Sequence, residues 1–494
     1  MVLVDLLVFL VVLLAAYNFM NWRARRHLKL PPGPPSIPLL GNFNVFMSNR
    51  PIYKVLKDLA DKYGSIFSLK LPMGRFVVLS EVDVIREAFL RRSEDFSGRP
   101  YVYSVSLLTR NNCGIAFSDY SPSWRMHRRT AALAIRRSVK GDNCMPCSAR
   151  IEEEVVHLNK LLSKKDGMYT DISVELNLTV LNVICDMTFR QRYEITDTDY
   201  QQMLDSNEKF AAVLEPGDPI DIIPALKIFP SKKLRMVQEI IQARDSILQK
   251  KYDEHFRTFD PNNIRDLTDA FIATMLESNE EEDGRGVLTE DHVVMAMWEL
   301  FVGGYEATYK SLVWSLIYVL NNPEVQHKIQ QELADKIGTR LPVWDDRYEL
   351  PYLEATVLET LRRSSFSSMN GPRRTRCDTK VQGYDIPKDT TVFCNLWWVH
   401  HNPKYWKEPF SFRPERFLDK DGKVFTPTSF MAFSVGRRVC LGKNLAMMEL
   451  FMFLGGILQR FTLKTPPGEK LPNTEPQPDM MRSPDFFRVQ IDSR

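Results

Sequence analysis

Residues 433–442 read Phe433-Ser434-Val435-Gly436-Arg437-Arg438-Val439-Cys440-Leu441-Gly442 and lead directly into an apolar helical pattern from Lys443 to Leu458. Gly436 permits a tight turn, Gly442 lets a large flat group approach the backbone, and Arg438 offers donors to an anion. Cys440 falls immediately before the helix, where the positive end of the helix dipole favours a thiolate. A thiolate so placed can be a nucleophile, a zinc ligand or the axial ligand of haem iron. Zinc lacks further ligands in this stretch. A nucleophile needs a base, and His127, His400 and His401 are the histidines that folding can bring close, though no local pattern marks them as such. Haem ligation alone also accounts for the arginine and the glycines.

Upstream of this stretch the longest helical pattern starts after Thr289, a natural N-cap, with Glu290 and Asp291 in the first turn, and runs to Asn322 before Pro323. Met295, Trp298, Leu300, Phe301, Tyr305, Leu312, Trp314, Leu316 and Ile317 leave it little polar face, so it should cross the core. Gly303 and Gly304 in its middle cost about 1 kcal/mol each relative to Ala, a cost that close approach of a ligand would offset. β-like runs are short: 65–71, 76–80 and 391–393. The expected fold is therefore mainly α with small peripheral β-sheets, in a single large domain over 37–494.

The first twenty residues are almost wholly apolar and pass into Trp22 without a small-residue cleavage site, while Arg23, Arg25, Arg26 and Lys29 follow at once. This reads as a signal-anchor transmembrane helix over 1–22, with the basic side, and hence the bulk of the chain, in the cytosol. Residues 23–36 form a basic and proline-rich hinge whose prolines favour a stiff, extended connector. Across 494 residues, 65 Lys+Arg against 62 Asp+Glu leave a net charge of +3, which argues against a nucleic-acid binder. Seven scattered Cys are no disulfide framework. Cys144 and Cys147 form a lone CxxC that supports neither a zinc site nor dithiol redox chemistry.

The decisive stretch matches F-x-x-G-x-R-x-C-x-G at every fixed position, and in this the chain resembles the cytochrome P450 superfamily. Further motifs occur in the family's order. Glu359 and Arg362 of LETLR lie three apart on one helix face, and with Arg416 of FRPERF they resemble the family's structural triad. Trp124 and Arg128 match W-x-x-x-R, whose indole and guanidinium contact a haem propionate in the family. The stretches 114–129 and 381–417 are similar to the animal microsomal group of aromatic-hydrocarbon hydroxylases and steroid 17-alpha-hydroxylases.

Two positions depart from the pattern. Gly303-Gly304-Tyr305-Glu306 aligns with the proton-relay segment, yet Ala307 stands where the family usually has threonine, and Thr308 comes one residue, about 100°, later. Arg373 replaces a histidine that commonly follows Pro372, and Arg can still donate to a propionate.

The resemblance implies a haem-thiolate monooxygenase that inserts one atom of dioxygen into an apolar small molecule: a steroid, a polycyclic aromatic or other xenobiotic, or a fatty acid. The implied cofactor is haem b held by the Cys440 thiolate, with Phe433, Gly436, Gly442, Trp124, Arg128, Arg373 and Arg438 around it. Glu306 and Thr308 are the candidate catalytic residues. Electrons would come from NADPH through NADPH-cytochrome P450 reductase, with cytochrome b5 a further donor, and Arg129, Arg136, Arg137 and Lys140 extend a basic docking face. The expected location is the endoplasmic reticulum membrane. By the same analogy the pocket draws on 101–117, the region of Phe210, Trp298, 301–306, 366–370 and 480–481, and Ser364, Ser365, Ser367, Ser368 and Asn370 are placed to bind an oxygenated ligand. Ala307 keeps open a reductase-independent isomerase or dehydratase of lipid peroxides, and a non-turnover haem sensor.

Overall fold

The computed structural model describes residues 27–37, 41–42, 45, 50–140, 146–215, 218–222, 229, 231–280, 286–477 and 481–494. The expected anchor over 1–22 lies outside them; among the described residues no helix is long and apolar enough to cross a membrane. Cys144 lies outside them too. The six described cysteines are all free. The chain clusters into two compact units, one of 1–100, 369–398 and 435–438, the other of 101–368, 399–434 and 439–494. No composition break marks these boundaries, because each unit is woven from separate stretches of chain.

In the first unit, α1 (Ile52–Tyr63) buries Tyr53, Leu56 and Ala60, a stripe spaced at one helical turn. Four strands form one sheet: β1 (Ile66–Leu71), β2 (Gly74–Leu79), β3 (Arg373–Arg374) and, further along the chain, the strand Thr391–Cys394, in the order β1, β2, Thr391–Cys394, β3. β1 and β2 form a hairpin with Leu71 opposite Gly74, and β2 pairs in parallel with Thr391–Cys394, Phe76 opposite Thr391. The proline-rich segment is bound to this sheet: Ser68 donates through N–H to Pro32 O and through its hydroxyl to Pro31 O. The sequence-predicted strands are all present, their edges shifted by one or two residues.

The second unit is helical. Its helices include α2 (Pro122–Lys140), α3 (Ser173–Phe189), α4 (Thr198–Leu214), α5 (Lys232–Arg257), α6 (Leu267–Glu280), α7 (Glu290–Asn321), α8 (Pro351–Ser364) and α9 (Lys443–Arg460). α7 is the expected long helix, 32 residues or about 48 Å at the α-helical rise. Thr289 caps it, and its N–H donates back to His292 Nδ1, 3.2 Å away; Pro323 opens the next helix. α7 is packed by α3, α5, α6, α8 and α9, which is why most of its positions from Val293 to Leu320 are buried. A short sheet of Tyr169–Thr170, Val489–Ser493 and Phe461–Lys464 completes the unit.

The charged core of this unit is one carboxylate shared by two guanidiniums. Glu359 is fully buried. Arg362 binds it in bidentate fashion, Nε to Oε2 at 2.6 Å and Nη2 to Oε1 at 2.8 Å, and Arg416 Nε reaches Oε1 at 3.2 Å. Arg362 Nη1 also donates to His400 O and Pro409 O, at 2.7 and 2.9 Å. The expected triad of Glu359, Arg362 and Arg416 is assembled.

His400, fully buried, accepts the Met431 N–H on Nε2 at 3.0 Å. Its Nδ1 therefore carries the proton and donates to Ser365 Oγ at 2.8 Å, while the Ser365 hydroxyl donates to Arg362 O. Burial, with Arg362 adding repulsion, pulls the His400 pKa down to about 3. His127, packed edge-on against Phe271 and His292, falls to about 3 for the same first reason, with His292 opposing its charge.

Two expectations follow. Glu359→Gln leaves two buried guanidiniums without their counter-charge and should cost about 3–5 kcal/mol, against a typical total stability of about 5–15 kcal/mol; a wild-type unfolding midpoint for Glu359→Gln would contradict it. Both histidines stay neutral in the folded chain while the unfolded chain protonates them below about pH 6.5. Their contribution is thus complete above pH 6.5 and is lost as pH falls toward 3. Replacing either one, as in His127→Phe or His400→Gln, should flatten the fall of unfolding free energy in that window by up to about 1.4 kcal/mol per pH unit, measured by denaturant titration at several pH values.

Candidate active site

The residues named from sequence fall in both units. In the first, Gly436 has φ 82° and an added Cβ would lie 1.8 Å from Phe89 O, so no other residue fits that turn. Arg373 is fully buried, donates to Val435 O at 2.7 Å and lies 3.5 Å over the Phe89 ring. Arg438 Nε donates to Ser97 O at 2.9 Å. Arg373 thus holds the backbone next to Gly436, and Arg438, at the end of that turn, holds the backbone of Ser97.

In the second unit, the Cys440 N–H donates to Phe433 O at 3.0 Å and closes the loop ahead of α9. Cys440 is exposed although protein surrounds it densely, so its thiol looks onto open space rather than onto packed side chains. Burial pushes its pKa up, while the Gly442 N–H and the Arg128 charge oppose that rise. The helix-terminus effect expected from sequence is present but is outweighed in the free thiol by desolvation. Gly442 leaves this side bare: an added Cβ would meet only Cys440 Sγ, at 4.0 Å.

Arg128 donates to Val439 O and lies 5.6 Å over the Trp124 ring, with no carboxylate partner among the described residues. Burial disfavours its charge and Cys440 partly restores it. The Trp124 indole N–H donates to Ile115 O at 2.8 Å. An indole has one donor, and here that donor holds a loop. The same loop is held from α7 by Glu299, which accepts the N–H groups of Ile115 and Ala116. Sequence reasoning missed Glu299 because its partners are more than 180 residues away.

On α7, Gly304 is a packing glycine, since its Cβ would lie 2.8 Å from Ile184, whereas a Cβ at Gly303 would meet nothing within 4 Å. Of the pair, only Gly303 has open space where a Cβ would stand. Glu306 is buried and paired with Lys310, Oε1 to Nζ at 2.6 Å, and Lys310 also donates to Ser483 Oγ at 2.8 Å. Thr308 faces the other way. Its hydroxyl donates to Gly304 O at 2.9 Å, and the fully buried Glu449 of α9 has no hydrogen-bond partner on either carboxyl oxygen among the described residues. Burial raises the Glu449 carboxyl well above its usual range, with the nearby Thr308 hydroxyl opposing part of that rise.

Aromatic residues named from sequence do meet. Phe117 packs edge-on against Phe210 at 6.3 Å, and Phe210 against Trp298 at 4.9 Å. Beside them a small cleft is lined by Ser206, Asn207, Arg244, Trp298 and Phe301. Among the described residues the buried Asn207 Oδ1 there has no hydrogen-bond partner, while Arg244 is held by Leu108 O and Asp245. Neither residue had a sequence signal, since each is a lone polar group on an amphipathic helix. The serine-rich stretch is corrected: Ser365 is spent on His400 and Arg362 O, Ser364 and Ser368 are buried, and Asn370 bonds the backbone of Gly371 and Cys394. Of these, Ser365 and Asn370 satisfy neighbouring groups of the fold, while the buried Ser364 hydroxyl has no hydrogen-bond partner among the described residues.

Comparison with known proteins agrees with this arrangement. The family model described as Cytochrome P450 matches residues 31–491. Steroid 17-alpha-hydroxylase/17,20 lyase of Ictalurus punctatus is 36% identical over 466 residues, 93% of this chain and 90% of the relative. Cytochrome P450 1A1 of Platichthys flesus is 35% identical over 456 residues, 90% of this chain and 87% of the relative. A zebra fish cytochrome P450 structure with progesterone superposes with a TM-score of 0.82 at 32% identity, covering 90% of this chain and all of that one. The chain belongs to the cytochrome P450 family and is a P450 monooxygenase.

Proposed function

We propose that Cys440 is the thiolate ligand of a haem, and that the chain hydroxylates an apolar, steroid-sized molecule carrying an oxygen function at the end remote from the reacting carbon. The observation that carries the substrate class is the buried amide oxygen of Asn207, unpartnered among the described residues, in a cleft walled by Trp298, Phe301 and aliphatic side chains. Buried polar atoms are nearly always paired, and a ligand hydroxyl or carbonyl at this amide supplies the missing partner. The zebra fish relative bound to progesterone, and the steroid hydroxylases among the relatives, support the same class.

The residues fit a haem. Gly442 leaves the Cys440 thiol open on its helix side, and Arg128 is a half-buried cation without a carboxylate of its own, which suits a propionate. Arg373 and Arg438 are further donors for the same purpose. Haem on a thiolate supplies reductive activation of dioxygen and transfer of one oxygen atom. The chain's own work is to hold the thiol at the start of α9, to fix the 114–116 loop through Glu299 and Trp124, and to wall the substrate with Phe117, Phe210, Trp298 and Phe301. Exclusion of water by these rings strengthens every polar contact inside.

Electrons from NADPH would enter through the reductase, for which the exposed Arg125, Arg129, Arg136 and Arg137 of α2 form a basic face. None of the four has an ion pair among the described residues. Cytochrome b5 would use the same face. The endoplasmic reticulum membrane, with the catalytic part in the cytosol, is the location consistent with the apolar N-terminus.

With NADPH and reductase under oxygen-18 gas, an oxygenated steroid should gain one labelled atom, while lipid hydroperoxides without NADPH should be left unchanged. Conversion of the hydroperoxides in place of labelling would reassign the chain to peroxide rearrangement. Asn207→Leu should weaken that steroid's binding by about 2- to 10-fold, the worth of one hydrogen bond, and leave a hydrocarbon of equal size unaffected; equal loss for both would remove Asn207 from recognition.

A further inference from the structure

Helix geometry divides the middle of α7 into two faces. At about 100° per residue, Lys310 lies about 20° from Gly303, Ala307 about 40° and Glu306 about 60°, whereas Thr308 lies about 140° away. Gly303 is exposed, Ala307 and Lys310 are half-buried and Thr308 is buried, while Glu306, at the edge of the open face, is buried beneath its pair with Lys310. Thr308 is thus committed to the packed side, where it meets Gly304 O and Glu449. Position 307, on the open side, has no donor. Glu299 shares the open side, and its carboxylate is engaged by the Ile115 and Ala116 backbone.

What the open side does carry is Lys310. Its ammonium has three donors. One goes to Glu306 Oε1 at 2.6 Å and one to Ser483 Oγ at 2.8 Å, and the Phe366 ring centroid lies 5.9 Å off. The third donor is not used by any described residue, and the side chain keeps 19% of its exposure. Glu preceding Lys by four is the favourable helical order, and in a largely buried setting the pair holds each partner in place.

We propose that Lys310 is a positioning residue that replaces the missing hydroxyl at position 307: pinned by Ser483, it fixes Glu306 on the open side of α7 and keeps a hydrogen-bond donor there. This rests on the monooxygenase reading above, and it explains how proton handling survives Ala307.

The test uses the full-length holoenzyme and compares wild type, Lys310→Met, Lys310→Arg, Ala307→Thr and Lys310→Met with Ala307→Thr. The ligand-induced absorbance change reports binding, and hydrogen peroxide released per NADPH oxidised reports coupling. An infrared difference spectrum against Glu306→Gln reports the Glu306 carboxylate. Lys310→Met should bind ligand as wild type does, release several-fold more peroxide, alter the solvent deuterium isotope effect and move the Glu306 band. Lys310→Arg should retain most coupling, and Ala307→Thr should restore it in the Lys310→Met background. Unchanged coupling in Lys310→Met, or lost coupling that Ala307→Thr does not restore, overturns the proposal while labelled product from wild type leaves the monooxygenase reading intact. Should Lys310→Met fail to fold, Ser483→Ala must raise peroxide release, and wild-type coupling in that variant overturns the proposal equally.

Discussion

The carboxylate of Glu359 is the charge from which the Cys440 loop is built. Arg362, neutralised by it, reaches across to His400 O. The His400 ring receives the Met431 N–H, Met431 O receives the Ser434 N–H, and Phe433 O receives the N–H of Cys440 itself. Each link is a hydrogen bond within one unit, and the first is a buried ion pair whose partners cannot be separated without exposing an uncompensated charge to a poorly polar interior. The energetic weight therefore lies far from the thiol, and the thiol inherits its position. This is how an E-x-x-R pair, an ordinary helix surface pattern in most chains, acquires a role at the site without touching it.

α7 applies a second constraint. Because a helix turns by a fixed angle per residue, exchanging Thr for Ala at 307 cannot be made good by Thr308, whatever its chemistry. Thr308 faces α9 and Glu449; Gly303, Ala307 and Lys310 face the open side. The two faces also differ electrostatically, one carrying a desolvated carboxyl held above its usual range and the other an ion pair. A one-residue shift in a motif is thus a change of face.

Local signals in the sequence were enough for the elements. Thr289 and Pro323 bracket α7 to the residue, the apolar run after Gly442 is α9, and the early strands fall where β-branched and aromatic residues alternate. The ten-residue stretch around Cys440 and the Glu359 triad were equally legible, since their residue types explain one another. What escaped was pairing over long separations: Lys310 with Ser483, Trp124 and Glu299 converging on Ile115, and Asn207 beside Arg244 on neighbouring helices. In the serine-rich stretch after α8, the partners of Ser365 were hidden for a related reason, since His400 lies 35 residues further along the chain. The division into two units was hidden because 435–438 belongs with one unit and its flanks with the other.

The assignment of Cys440 as the iron's ligand is tested most directly by X-ray absorption at the iron edge of the purified holoprotein, wild type beside Cys440→Ser. Wild type should give one sulfur scatterer in the first coordination shell, and that scatterer should vanish in Cys440→Ser. A first shell of nitrogen and oxygen alone in wild type, or a sulfur that persists in the variant, would contradict it.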